Sequence, residues 1–425
     1  MITELVANMN PNLLTALLIG KIVLLSLFTS LTRFKSGKMI SSEDTNKLFK
    51  EVGESNATLR VRNAQRNDME NCFTIILVLF LTRTTYTPLY LSIIVGCRIL
   101  HGLAYLLKLQ PWRGIFFMVP HMMAYRMLYN FYMETNNYSW KPFSARFQND
   151  QFLNIIAILL IKTHVMSFLT SAFRYGNKTS HYGIVEDAQA MKQMTGADKP
   201  SGRNEQAERI QLNHMKDIYN HVAVIILCLV IKNGNLMPLA KVTDCLRFYV
   251  IARTAITLSN VLGLPHIFQM AGYFAGLYFL VPLFTKSINL NRAFTDYDLL
   301  LSSKNYMLII LILKNHIIGV LEQFYNLIRG QFDVHRNQLI NPENHYNDEN
   351  VRAINIQRND GETVLTFLTL IAVLKFSVPV AVIKYFFIAR MVHSLVYVLH
   401  VPQPARALSW FVNIYGIYQV LMMYF

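Results

Sequence analysis

The sequence predicts an all-α membrane protein of twelve spans, built as three tandem four-helix bundles in one chain. Three observations predict it. Apolar residues make up 53% of the 425 and charged residues only 15%, against about a quarter charged in soluble domains. Apolar runs of about 18 or more residues, the length that crosses a bilayer, recur along the chain. One polar motif on the first turns of such a run occurs three times.

The motif is clearest at Arg60–Asn71, RVRNAQRNDMEN, where the apolar CFTIILVLFLT follows at once. It returns at Arg352–Thr363 as RAINIQRNDGET and, more loosely, at Glu208–Asn220 as ERIQLNHMKDIYN. Asp68, Asp217 and Asp360 are 149 and 143 residues apart. Arg98, Arg253 and Arg390 follow 31, 37 and 31 positions after the residue that precedes each aspartate. Self-similarity at a fixed period marks a repeat, and it divides the chain into units of 1–137, 138–288 and 289–425.

In order, the first unit has spans near 12–32, 64–84, 88–107 and 114–133. Thr87-Pro88 closes the second span, and LKLQPWR turns the third into the fourth. The second unit repeats this near 152–173, 213–232, 239–262 and 267–284. The third does so near 305–328, 356–375, 379–399 and 407–424. Polar linkers at 134–150 and 285–303 separate the units.

The net charge of +15 is read as cytosolic loops of a membrane protein, not as a nucleic-acid footprint. The loops between spans 1 and 2 of each unit are the basic ones, and the first holds Arg33, Lys35, Lys38 and Lys47 among others. The positive-inside rule places these loops in the cytosol and both termini in the lumen. The sequon at Asn137 is then lumenal, and those at Asn56 and Asn177 face the cytosol. The four cysteines show no CxxC, and no histidine pair has zinc-ligand spacing, so neither a disulfide framework nor a metal site is expected. No cleavable signal is evident, and residues 12–32 read as a retained first span.

Chemistry concentrates on spans 2 and 3. Arg66, Asn67 and Glu70 share one helix face, as do Arg358, Asn359 and Glu362. Arg98, His101 and Tyr105 form a stripe at i, i+3, i+7, and Arg390, His393 and Tyr397 repeat it. Arg113 and Arg406 follow at the next turn of chain. Ionisable groups within spans normally face a bundle interior or a cavity and mark function. Each also has a plain structural reading: Arg66–Glu70 as an intrahelical ion pair, Arg98 as a cap or snorkelling side chain, the histidines as core residues. The sets are rich in guanidinium, which suits a carboxylate ligand. The second unit departs, with Lys216 and Tyr219 replacing asparagine and glutamate and a stripe of Arg253, Ile256, Asn260. Its site reads as degenerate.

These residues resemble a known family. RNDMEN, CRILHGLAYL and IARMVHSLVYVLHVPQPARALSWFV are similar to the microsomal glutathione transferases, among the membrane-associated proteins in eicosanoid and glutathione metabolism. NPEN at Asn341–Asn344 and the spacing of Arg33 and Asp44 match as well. The resemblance implies four-helix subunits that trimerise and bind glutathione between neighbours near the cytosolic face. Three units in one chain then imply a monomeric pseudo-trimer, residing in the endoplasmic reticulum. It also implies glutathione contacts at Arg66, Asn67, Glu70, Arg98, His101, Arg358, Asn359, Glu362, Arg390 and His393, with a neighbouring span 1 adding Arg33, Arg174 or Arg329. Arg406 and Arg113, with Tyr397 and Tyr105, are the implied catalytic groups.

Where the family has a further arginine, this chain has Asn63 and Asn355. The tyrosine-to-arginine spacing is 8 in the first unit and 9 in the third. The expectation is a glutathione transferase, with peroxidase activity besides, that needs no metal. Its co-substrate is glutathione and its acceptor a lipophilic electrophile or lipid hydroperoxide from the bilayer. At most two of its sites are competent. An eicosanoid synthase of prostaglandin E or leukotriene C type is the second reading. Asp44 favours the former, and Gly114 and Ala407 after the key arginines oppose it. A non-catalytic membrane scaffold is the third. A transporter is opposed by three parallel repeats with no inverted pair.

Overall fold

A computed structural model describes residues 10–39, 51–52, 55–82, 87–109, 112–135, 151–176, 205–288, 296–329, 349–374, 376–399, 401 and 405–424. In hydrocarbon every backbone N–H and C=O must find a partner within its own segment, so apolar runs become helices. Those of the first repeat are α1 (Pro11–Ser36), α2 (Asn56–Leu81), α3 (Thr87–Leu106) and α4 (Trp112–Thr135). The second supplies α5 (Gln151–Gly176), α6 (Glu205–Asn233), α7 (Leu239–Val261) and α8 (His266–Ser287). The third supplies a short α9 (Tyr297–Ser302), then α10 (Lys304–Arg329), α11 (Glu349–Val373), α12 (Val380–Val398) and α13 (Ala405–Met422). One departure from an all-helical chain is a two-residue parallel ladder, β1 (Lys38–Met39) on β2 (Glu51–Val52), in the first loop.

The helices match the expected spans closely, with one instructive difference. α2, α6 and α11 begin about seven or eight residues before the expected spans. The polar motif therefore lies inside a continuous helix and not at its first turn. Six helical segments among the described residues are long and apolar enough to cross a membrane: 11–36, 88–106, 152–170, 267–287, 304–321 and 380–398. Large apolar side chains stand exposed on them, including Leu24 at 55%, Leu31 at 60% and Leu395 at 56%. Exposed apolar area on this scale marks surfaces that meet lipid or a partner.

The repeats also share turn chemistry. Leu109 N donates to Ala104 O, Leu264 N to Ser259 O and Val401 N to Val396 O, at 2.8, 2.8 and 3.0 Å. These are the six-to-one bonds of a helix C-cap, and they close α3, α7 and α12 at matching places in all three repeats. Lys108 and Gly263 take the left-handed conformation there, at φ 64° and 65°. Asn235 and Phe376 do the same after α6 and α11, at φ 50° and 60°. Buried hydroxyls are satisfied locally: Thr29, Thr163, Thr170 and Thr366 each donate to the carbonyl four residues back.

The chain forms two compact units, Met1–Leu18 with Asn67–Ser287 and Ile19–Arg66 with Ile288–Phe425. The division at 1–137, 138–288 and 289–425 is thus one of sequence, since the compact units cut through the first repeat. In the first compact unit α5, α6 and α7 pack mutually, α8 lies on α7, α4 on α3, and α5 also touches α4. In the second, α10 packs on α11 and α12, and α13 covers α11 and α12. In the interior of this second unit Phe367 stacks on Phe386 with centroids 3.7 Å apart.

Candidate functional site

Each repeat buries one arginine of its third span against one aspartate of its second. Arg98 Nη2 donates to Asp68 Oδ1 at 2.5 Å, and both side chains are fully buried. Arg390 Nε donates to Asp360 Oδ1 at 2.5 Å, again with both buried. Arg253 pairs with Asp217. In the second and third repeats a span 1 lysine completes a triad. Lys162 Nζ meets Asp217 Oδ2 at 2.8 Å. Lys314 Nζ meets Asp360 Oδ2 at 2.8 Å and donates to Ser394 Oγ at 2.7 Å. Burying charge is costly unless it is paired, so these contacts fix span 3 on span 2 in each repeat, and span 1 with them in the second and third.

Sequence reasoning used the aspartates only as register marks and missed the lysines. The signal was present: Lys21, Lys162 and Lys314 stand at matching points of three apolar spans, 12, 12 and 15 residues before Arg33, Arg174 and Arg329. A lysine within an apolar span needs a partner.

At the first repeat the sequence-predicted residues come together around Asn67. Arg98 Nη2 donates to Asn67 Oδ1 at 2.8 Å and to its carbonyl at 3.2 Å. Asn71 Nδ2 donates to the same carbonyl at 2.6 Å. The His101 and Tyr105 rings lie 5.9 Å apart, and the Arg113 guanidinium sits 4.5 Å over the Tyr105 ring. The two predicted catalytic groups of this repeat are therefore in contact. Arg33, Arg66, Glu70 and Arg113 are half-buried.

A neighbouring repeat reaches this site. Ser167 of α5 donates to Asn71 Oδ1 at 3.1 Å and meets His121 Nε2 of α4 at 3.3 Å. Ser167→Val removes this link, and the expected cost is about 1 kcal/mol. Thermal unfolding of the purified variant checks it.

The third repeat reproduces the stripe. His393 and Tyr397 rings are 6.0 Å apart, and His393 Nδ1 meets Ser409 Oγ of α13 at 2.9 Å. Asn359 and Glu362 are half-buried on α11. Unlike Asn67, Asn359 makes no bond to the span 3 arginine, since Arg390 turns to Asp360. The side chains of Arg174, Arg329, Arg358 and Arg406 lie outside the described residues, although helices carry their backbones. Asp44, Asn137, Asn177 and Asn341–Asn344 lie outside them altogether, and Asn56 opens α2.

In the second repeat Asp217 gathers Lys162, Arg253 and Thr257. Cys72 and Cys228 are buried, Cys97 and Cys245 half-buried, and the four form no disulfide. Among the described residues no group of three or more His, Cys, Asp or Glu could hold a metal ion.

Two regions of the chain match one family model, that of the MAPEG family, at residues 12–130 and 311–423. These are the first and third repeats, where the arginine, histidine and tyrosine stripes are complete. No curated protein and no solved structure matches the chain. The family contains glutathione transferases and eicosanoid synthases. The match covers more than half of the chain and falls twice on the same constellation, among helices apolar enough to span a bilayer. The chain is therefore an integral membrane protein that belongs to the MAPEG family, with repeated units.

Proposed function

We propose that the protein is a membrane glutathione transferase, with peroxidase activity besides, built as a single-chain pseudo-trimer of twelve spans. The carrying observation is the arginine–histidine–tyrosine stripe, set beside the span 2 polar face in both segments that match the family. Glutathione presents two carboxylates, an ammonium and a thiol. The half-buried Arg66 takes a carboxylate, with Arg358 as its counterpart in the third repeat. Glu70 and Glu362 take the ammonium.

Arg98 and Arg390 act differently in this reading. Already committed to Asp68 and Asp360, they hold span 3 on span 2 and position Asn67, His101 and His393 around the ligand. Arg406, with Arg113 as its first-repeat counterpart, faces the sulfur. A free thiol has a pKa of about 8.5, and a guanidinium nearby lowers it. Tyr397 and Tyr105 orient the sulfur. The thiolate then attacks an electrophile that arrives through the bilayer.

The packing favours one neighbour for the first site. α5 of the second repeat lies against α2 of the first, through Ser167 and Asn71. Arg174 stands two turns further along α5, so it is the neighbour arginine for the first site. Arg33 belongs to the compact unit that contains the third repeat, so it serves the third site. The basic first loops then face the cytosol, and endoplasmic reticulum is the membrane this orientation suits.

Turnover of glutathione with a hydrophobic electrophile, on purified full-length protein in detergent, tests the reading. Conjugate formation is expected, lost in an Arg113→Ala, Arg406→Ala double variant. Absence of turnover together with absence of glutathione binding would leave a scaffold. The eicosanoid reading has no structural observation in its favour, since Asp44 lies outside the described residues.

A further inference from the structure

The second repeat has lost the glutathione set, and a decaying site drifts toward apolar or solvated residues. This one has gained buried polar groups. His221 stands where the other repeats have Cys72 and Val364, four residues after the aspartate. Tyr249 stands where they have Ile94 and Phe386, four residues before the arginine. Both are buried, at 1% and 2% exposure. Their rings meet edge to face with centroids 6.1 Å apart.

The charges around them do not balance. Lys162 and Arg253 both meet Asp217, and among the described residues neither meets a second carboxylate. In the other repeats a glutamate follows the aspartate by two positions; here that residue is Tyr219. Arg253 Nε, Tyr249 Oη and His221 Nε2 are buried and make no hydrogen bond among the described residues. The tautomer of His221 follows from its neighbour. Thr163 gives its hydroxyl proton to Leu159 O at 2.7 Å, so His221 Nδ1 must donate to Thr163 Oγ1 across 3.0 Å. Nε2 is left, 3.8 Å from Asp217 Oδ2, and when protonated it is a further donor. Two cations on one carboxylate, ringed by unused donors in a membrane interior, are expensive as they stand.

We propose that the second repeat holds a small monovalent anion of halide size, seated against Arg253 Nε and Tyr249 Oη. The anion cancels the surplus charge and makes the second repeat a stabilising hub, distinct from the glutathione sites. The ligand is small because Asp217, His221, Tyr249 and Arg253 are all buried.

The experiment is thermal unfolding of the full-length protein in detergent, with chloride replaced by gluconate at constant ionic strength. The wild type is expected to gain Tm saturably with chloride. Lys162→Met leaves a neutral Asp217–Arg253 pair, so it is expected to lose the chloride dependence without a lower Tm in gluconate. Tyr249→Phe is expected to keep the response but raise the chloride midpoint several-fold, and it serves should Lys162→Met fail to fold. Lys314→Met, in the third repeat, is expected to respond like the wild type. Equal Tm in chloride and gluconate for the wild type overturns the proposal, because a lysine that had shed its proton would need no anion. An unchanged chloride response in both Lys162→Met and Tyr249→Phe overturns it as well.

Discussion

Asp360→Leu is expected to destabilise the third repeat by about 3–5 kcal/mol, the cost of leaving a buried charge without its partner. The carboxylate is 1% exposed and is met by both Arg390 and Lys314. Removing it strands two cations among α10, α11 and α12, and a whole domain is stable by only about 5–15 kcal/mol. Thermal unfolding in detergent should show a large fall in Tm. The triple variant Asp360→Leu, Lys314→Met, Arg390→Met removes all three charges and should recover most of it, because a well-packed apolar replacement of a buried ion cluster is often neutral. A single variant as stable as the wild type would show that the cluster is not buried in the folded protein.

In an Arg113→Ala background, which leaves the third site to carry turnover, Arg406→Ala should lower turnover about a hundredfold or more at saturating glutathione, the usual effect of removing a charge that stabilises a developing anion. Binding should fall much less, since Asn359, Glu362 and Arg358 remain. The pH profile separates this role from a structural one. With the arginine present the bound thiol is ionised across neutral pH, so the rate is nearly flat. Without it the thiol returns toward about 8.5, and the rate should climb roughly tenfold per unit between pH 6 and 8. A uniform loss with a flat profile would mean that Arg406 supports the fold and not the sulfur. Arg113→Ala should cost less, because Arg113 stacks on Tyr105 and its spacing from that tyrosine is one residue shorter than in the third repeat.

The helices were legible in the sequence because hydrophobic length and the positions of Thr87-Pro88, Pro238 and Pro379 set their limits. Their polar N-terminal extensions were not. The Arg60–Asn71 stretch is polar on every side, and hydropathy alone cannot distinguish a solvated helix turn from a loop. The stripe of Arg98, His101 and Tyr105 was legible because spacing on one helix fixes a common face. What that face meets depends on other helices. Pairing of Arg98 with Asp68, entry of Lys162 and Lys314 into the clusters, and contact of Ser167 with Asn71 join residues 30 to 96 positions apart. No local pattern encodes such contacts, although a lysine within an apolar span flags the need for one.

The stoichiometry of glutathione binding to the purified full-length chain, by equilibrium dialysis, tests the central claim most directly. Sites at the first and third repeats predict no more than two per chain, lost on combining Glu70→Leu with Glu362→Leu. Three per chain would mean that the second repeat binds despite Lys216 and Tyr219, and no binding at all would contradict the assignment.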